Sequence, residues 1–188
     1  MSQKDYGCFF CAGQTTNPSA SCEQCGRPID VSDPLLECVF NDYKPIDVIG
    51  RGYNGWTLRV EDEFQAFAMK VIPVRRTKKD AIPDKEAKAL ATCSSHRNIA
   101  RFIRQLRTTV TVLGAEVEVL CLVFEYIGNA RTLGNLVADD SLTLRKIDVV
   151  HILTGIASGL GRMHSHGLWH ADLHDDMTCP PETGQFAE

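Results

Sequence analysis

Four cysteines near the start of the chain fall in two close pairs, Cys8-x-x-Cys11 and Cys22-x-x-Cys25, separated by ten residues. Two thiolates at this spacing can curl around one metal ion. Gly13 and Gly26, each within two positions of its pair, allow the tight turn that this needs. Four soft sulfur ligands favour tetrahedral Zn2+, and a closed thiolate shell leaves no open coordination position. The chemistry implied is therefore structural rather than catalytic. Two redox pairs, or unconnected thiols, are the plainer alternative. Cys38, Cys93, Cys121 and Cys179 have no partner at such spacing, and the first three read as small buried hydrophobes.

A second set of residues is spread along the chain. Gly50-Arg51-Gly52-Tyr53-Asn54-Gly55 is a glycine pattern that suits a phosphate cradle and, equally, an ordinary hairpin turn. Lys70 follows in Ala68-Met69-Lys70, and Glu86 lies further on. Alone, that pair would be a surface ion pair of little worth. Then come His96-Arg97-Asn98-Ile99, the apolar run closing on Phe124-Glu125-Tyr126-Ile127, and His170-Ala171-Asp172-Leu173-His174-Asp175-Asp176. The run Arg75-Arg76-Thr77-Lys78-Lys79 reads as a solvated loop, and His151, His164 and His166 show no metal-ligand spacing.

The elements that must carry these residues can be read from periodicity. Residues 48–49, 57–60, 66–74, 100–109 and 117–127 read as strands. Residues 84–93 read as a helix with Ala87, Leu90 and Ala91 on one side, and 129–137 as a short one. Residues 143–164 give the best helix, with Thr143 as N-cap and an apolar stripe of Val149, Leu153, Ile156, Leu160 and Met163. Residues 1–30, rich in Cys, Gly, Ser, Thr and Pro, are too poor in aliphatics for a conventional core, and 31–42 read as a connector. The 188 residues suffice for one medium domain plus a small module. The net charge of −4 implies no broad basic surface, so neither nucleic acid nor an anionic membrane is expected as a partner. No signal peptide or spanning segment is read, and a cytoplasmic setting is expected.

In this order the second set resembles the eukaryotic-type protein kinase domain, serine/threonine kinase-like, over residues 43–176, and residues 1–30 resemble a zinc ribbon. The resemblance implies an α+β fold: a zinc ribbon (1–30), a linker (31–42), an N-lobe of antiparallel sheet plus one helix (43–127), a partial helical C-lobe (128–176) and a non-matching tail (177–188). It implies ATP as ligand, Mg2+ as cofactor and a protein as substrate. Gly50, Gly52 and Gly55 match the glycine-rich loop, whose backbone N–H groups approach phosphate. Thr57 stands where the family has Val over the adenine, and the resemblance counts Ala68 with it among the nucleotide-binding residues. Lys70 matches the lysine on the α- and β-phosphates, and Glu86 its helix partner. Phe124 backs the adenine pocket, and the backbone of Glu125 and Ile127 bonds the adenine edge. Asp172 matches the catalytic aspartate of H-R-D-x-x-x-x-N.

The match has departures. Ala171 replaces the arginine, which removes the usual partner of a phosphorylated activation loop. His174 replaces a common lysine. Met177 replaces the asparagine that holds Mg2+, and a thioether is a poor ligand for a hard cation. No D-F-G or A-P-E motif follows. The expectation is thus a truncated kinase, impaired in phosphoryl transfer to serine or threonine, with part of the 143–164 helix left facing water. A non-catalytic pseudokinase module and a small-molecule phosphotransferase are the competing readings.

Overall fold

The computed structural model describes residues 6–11, 13–17, 20–52, 55–74, 83–141, 143–170, 173 and 178–179, with backbone alone for 83–86 and 178–179. The chain divides into two units, Met1–Leu90 with Phe102–Tyr126, and Ala91–Arg101 with Ile127–Glu188.

The first unit is built on a five-stranded antiparallel sheet. Its strands are β3 (Lys44–Arg51), β4 (Trp56–Glu61), β5 (Ala66–Pro73), β6 (Phe102–Val112) and β7 (Ala115–Glu125), in the spatial order β3-β4-β5-β7-β6. Period-two alternation sorts the side chains of each strand between two faces. On one face, Trp56, Leu58 and Val60 of β4 meet Phe67, Met69 and Val71 of β5, and all are buried. On the other, Ile72, Leu120 and Leu122 pack with Phe102, Phe124 and two residues of α2 (Pro83–Cys93), Ala87 and Leu90. Ala91 is exposed rather than sharing that apolar side.

The N-terminal segment contributes more apolar burial than its composition suggests. A small ladder, β1 (Tyr6–Gly7) on β2 (Gln14–Thr15), opens it. Phe9 and Ile29 are fully buried and belong to the same apolar cluster as β4 and β5. The Phe9 ring meets Trp56 edge-on with centroids 5.3 Å apart. Residues 31–42, read as a connector, carry a short helix, α1 (Ser32–Leu36), and place Val31, Leu35, Cys38 and Phe40 in that cluster. Cys38 donates from Sγ to the Thr111 carbonyl at 3.5 Å. Tyr43 closes the segment, its ring edge-on to Phe67 at 5.3 Å and its hydroxyl accepting from Arg104 Nε at 2.8 Å. Single apolar residues in a polar stretch carry no period, so this packing escapes pattern reading.

The second unit holds β8 (Arg131–Thr132), α3 (Leu133–Ala138), α4 (Lys146–Ser165) and β9 (Thr178–Cys179), with β8 paired to β9. Thr132 caps α3, its hydroxyl accepting from Asn135 N at 3.0 Å. The N-cap of α4 is Arg145 and not Thr143. Asp148 makes the difference. Its carboxylate accepts from both the backbone N–H and the guanidinium of Arg145, each at 2.9 Å, and so fixes the first turn two residues later. Along the expected stripe, Ile156, Leu160 and Met163 are half-buried while Val149 and Leu153 are exposed. Val149 and Leu153, with Leu133, Val137, Leu144 and Ile152, line an apolar groove of about 210 Å³. His96 to Ile99 packs on α4: Ser158 Oγ lies 3.2 Å from His96 Nε2, and a Cβ on Gly159 would come within 3.0 Å of the Asn98 carbonyl. No helix among the described residues is long and apolar enough to cross a membrane.

Candidate functional site

The register of the sheet gathers the second set of residues. Gly50 of β3 pairs with Thr57 of β4, Thr57 with Lys70 of β5, and Lys70 with Leu122 of β7. Directly opposed residues share a face, so Gly50, Thr57, Lys70 and Leu122 form one row across four strands. The next row on that face runs Arg59, Ala68, Phe124, where Phe124 meets Phe102 edge-on at 5.7 Å. This face lies opposite the one that packs on the N-terminal segment. Lys70 is half-buried and stands between Thr57 and Leu122 in this row.

The three glycines differ in what they demand. Gly52 N donates to the Gly55 carbonyl at 2.9 Å and closes the turn. Among the described residues, a Cβ on Gly52 would meet nothing nearer than that carbonyl, at 4.0 Å, and one on Gly50 would touch only Thr57, at 3.4 Å. Backbone at these two positions is thus open to a ligand. Gly55 is buried, and a Cβ there would lie 2.1 Å from the Val71 carbonyl oxygen. Close strand packing requires this glycine.

Glu86 stands on α2, where the structure describes backbone alone. Glu125 ends β7, and the carbonyl of Ile127, two residues on, accepts from Ala130 N. Asp172, His174 and Met177 lie outside the described residues, as does 75–80. His151, His164 and His166 are solvent-facing. Cys38, Cys93 and Cys121 are buried, and burial pushes the Cys121 thiol up to about 12.

The four N-terminal cysteines converge. Their sulfurs all lie within 4.8 Å of one another, with Cys8 Sγ 3.6 Å from Cys25 Sγ and Cys11 Sγ 3.5 Å from Cys22 Sγ. A tetrahedron of Zn–S bonds of about 2.3 Å has sulfur–sulfur edges of about 3.8 Å, so the cluster has the size that zinc requires. Both knuckles have the same backbone form: Cys8 N donates to the Gly13 carbonyl at 2.8 Å, and Cys22 N to the Arg27 carbonyl at 2.7 Å. Gly13 N also donates to Cys11 Sγ at 3.3 Å, and a Cβ on Gly13 would sit 2.7 Å from Cys22 Sγ. Gly26 serves differently, with a φ of +70° that favours glycine. Burial, then the neighbouring thiols, pushes Cys11 up to about 12. At Cys22, N–H groups of Cys25 and Gln24 outweigh burial and bring it to about 7. Four thiolates this close repel one another, and a divalent cation offsets that repulsion.

A family model described as protein kinase domain matches residues 43–176. The chain belongs to the protein kinase family. Among solved structures, the Mycobacterium tuberculosis PknI kinase domain is similar with a TM-score of 0.56 and 18% identity, over 76% of this chain and 57% of that one. The C20A mutant of the same domain gives 0.55 and 18%, over 73% and 54%. The chain thus spans little more than half the length of these kinase domains, and the likeness is one of fold. No curated protein matches the sequence. The α+β architecture expected from the sequence, a kinase-like N-lobe of antiparallel sheet with its helix, is the one observed.

What sequence reasoning missed in this kinase lobe is Arg51. It is a long cationic side chain set between two glycines, and that contrast was the available signal. Its side chain is only 15% exposed, and the guanidinium donates to Asp30 Oδ2 and to the Ile29 carbonyl, each at 3.0 Å.

Proposed function

We propose that residues 43–176 bind ATP with Mg2+ and belong to a phosphoryl-transfer machine acting on a protein serine or threonine hydroxyl. The observation that carries this is the row Gly50, Thr57, Lys70, Leu122 on the face away from the N-terminal segment. In the proposal, backbone of Gly50 and Gly52 approaches the phosphates, and Lys70 neutralises the α- and β-phosphates. Thr57, Ala68 and Phe124 contact the adenine, and backbone of Glu125 and Ile127 bonds its edge. Glu86 orients Lys70, and Asp172 orients the acceptor hydroxyl. Cys8, Cys11, Cys22 and Cys25 hold a structural Zn2+. Support for that ion comes from the sulfur spacing and the crowding of four thiols.

A second reading, nucleotide binding without efficient transfer, is favoured by Met177. In-line transfer needs a cation bridging the β- and γ-phosphates, and a thioether holds Mg2+ poorly. We therefore expect this chain to bind ATP and to transfer phosphate weakly. A labelled-phosphate assay with a general protein substrate, beside ATP calorimetry, tests both parts. Robust transfer that vanishes in Asp172→Ala refutes the impairment, and an absence of ATP binding refutes the site.

A further inference from the structure

The glycine-rich turn is held at both ends by the cysteine segment. At its entry, Arg51 donates to Asp30 and to the Ile29 carbonyl, and its guanidinium lies 4.8 Å over the Tyr6 ring and 5.3 Å over Trp56. At its exit, Trp56 is 1% exposed and takes the edge of Phe9 at 5.3 Å. Arg51 and Trp56 are themselves a paired position of β3 and β4, directly below the Gly52–Gly55 hydrogen bond. Every ribbon contact in this clamp is tied to the cysteine cluster. Tyr6 precedes Cys8, and Phe9 lies between Cys8 and Cys11. Ile29 N donates to the Ala20 carbonyl at 3.1 Å, closing a loop whose Ser21–Pro28 bridge encloses Cys22 and Cys25.

We propose that Arg51 is a positioning residue that couples the cysteine-bound metal to the glycine-rich loop, so that metal in the ribbon tightens nucleotide binding. This rests on the nucleotide and zinc assignments above. The physical reason is pre-organisation. The turn must hold its N–H groups at phosphate distance, and a turn anchored by a planar, five-donor guanidinium has fewer conformations to lose on binding. Metal fixes the backbone on which Asp30, Ile29 and Phe9 are presented. Without it, the anchor loses its fixed partner. Lysine at position 51 keeps the charge but cannot reproduce the fork or the stacking on two rings.

Coupling of this kind is reciprocal, which supplies the test. ATP is titrated by calorimetry into the full chain, zinc-loaded and zinc-stripped, and zinc affinity is measured with a competing chelator with and without saturating ATP. The expected result is that stripping weakens ATP binding roughly tenfold and that ATP tightens zinc by the same factor. In zinc-loaded Arg51→Lys and Asp30→Asn, ATP binding is weaker than in the parent, and ATP no longer tightens zinc. Both variants are read with metal bound, so the test survives if the stripped chain unfolds. Trp56 fluorescence, in a Trp169→Phe background, shows whether the Phe9 contact persists. ATP binding that ignores zinc, or undiminished reciprocity in Arg51→Lys, overturns the coupling and leaves the nucleotide site standing. A zinc-loaded parent that binds no ATP overturns both.

Discussion

Replacing Gly55 by alanine separates strand packing from ligand approach. The new Cβ would lie 2.1 Å from the Val71 carbonyl oxygen and 3.0 Å from its carbon. Ordinary contact needs about 1 Å more, and strand spacing of about 4.8 Å leaves no slack. The β4–β5 ladder must therefore open at its first pair, Trp56 with Val71. Two ladder hydrogen bonds at about 1 kcal/mol each, plus overpacking of about 1–3 kcal/mol, give a loss of roughly 3–5 kcal/mol. For a chain of this size that lowers the melting temperature by roughly 6–20 °C. Gly52→Ala meets no described atom nearer than 4.0 Å and should melt within about 2 °C of the parent, with any loss confined to ATP affinity. Circular dichroism melts beside ATP calorimetry make the comparison. A Gly55→Ala protein that melts with the parent, or a Gly52→Ala protein that falls as far as Gly55→Ala, would refute the assignment of these glycines.

Lys70→Ala should cost ATP about tenfold or more in affinity, as expected for loss of a hydrogen bond to a charged group, and unchanged calorimetric affinity would exclude Lys70 from the phosphates. One zinc per chain is expected by elemental analysis of protein purified without added metal. Cys22→Ser with Cys25→Ser should abolish it, and an unchanged zinc content in that variant would remove the four-sulfur site. Asp148 carries a pH signature. The Arg145 guanidinium hydrogen bond, ahead of other causes, holds its carboxyl below the usual range. A lowered folded value means that the stabilisation is present above the unfolded value and lost as pH falls through the folded one. Asp148→Asn should therefore melt below the parent at pH 7, and the gap should close below about pH 4. A gap that persists in acid would mean that charge is not the cause.

The sheet and the long helix were legible because they carry a period. β4 alternates strictly and β5 does so as far as Val71, and α4 repeats at helical spacing. The row through Thr57 and Lys70 was legible only as an order of motifs, since register is set by pairing between strands distant in sequence. The cysteine spacing announced a cluster, and the sulfurs do converge. Hidden from sequence were contacts made by lone residues. Phe9, Ile29 and Leu35 sit in stretches without period, yet each is fully buried. The N-cap was misplaced because a threonine is the commoner cap, and the deciding group, Asp148, acts from three residues further on.

The family match starts at residue 43, but the apolar core of the sheet does not. Leu58, Val60, Met69, Val71 and Val123 share one cluster with Phe9, Ile29, Val31, Leu35 and Phe40, all fully buried. The stretch recognisable by likeness and the stretch that folds cooperatively therefore have different lengths. A gene fragment trimmed at the family boundary would leave an apolar sheet face wet, an aggregation surface created by the cut itself. Nor can the cysteine segment be exchanged like a cassette on a tether, because any replacement must also fill the volume of Phe9 against Trp56 and supply a partner for Arg51. In this chain the extra module is a wall of the lobe, and its natural boundary is the last buried side chain.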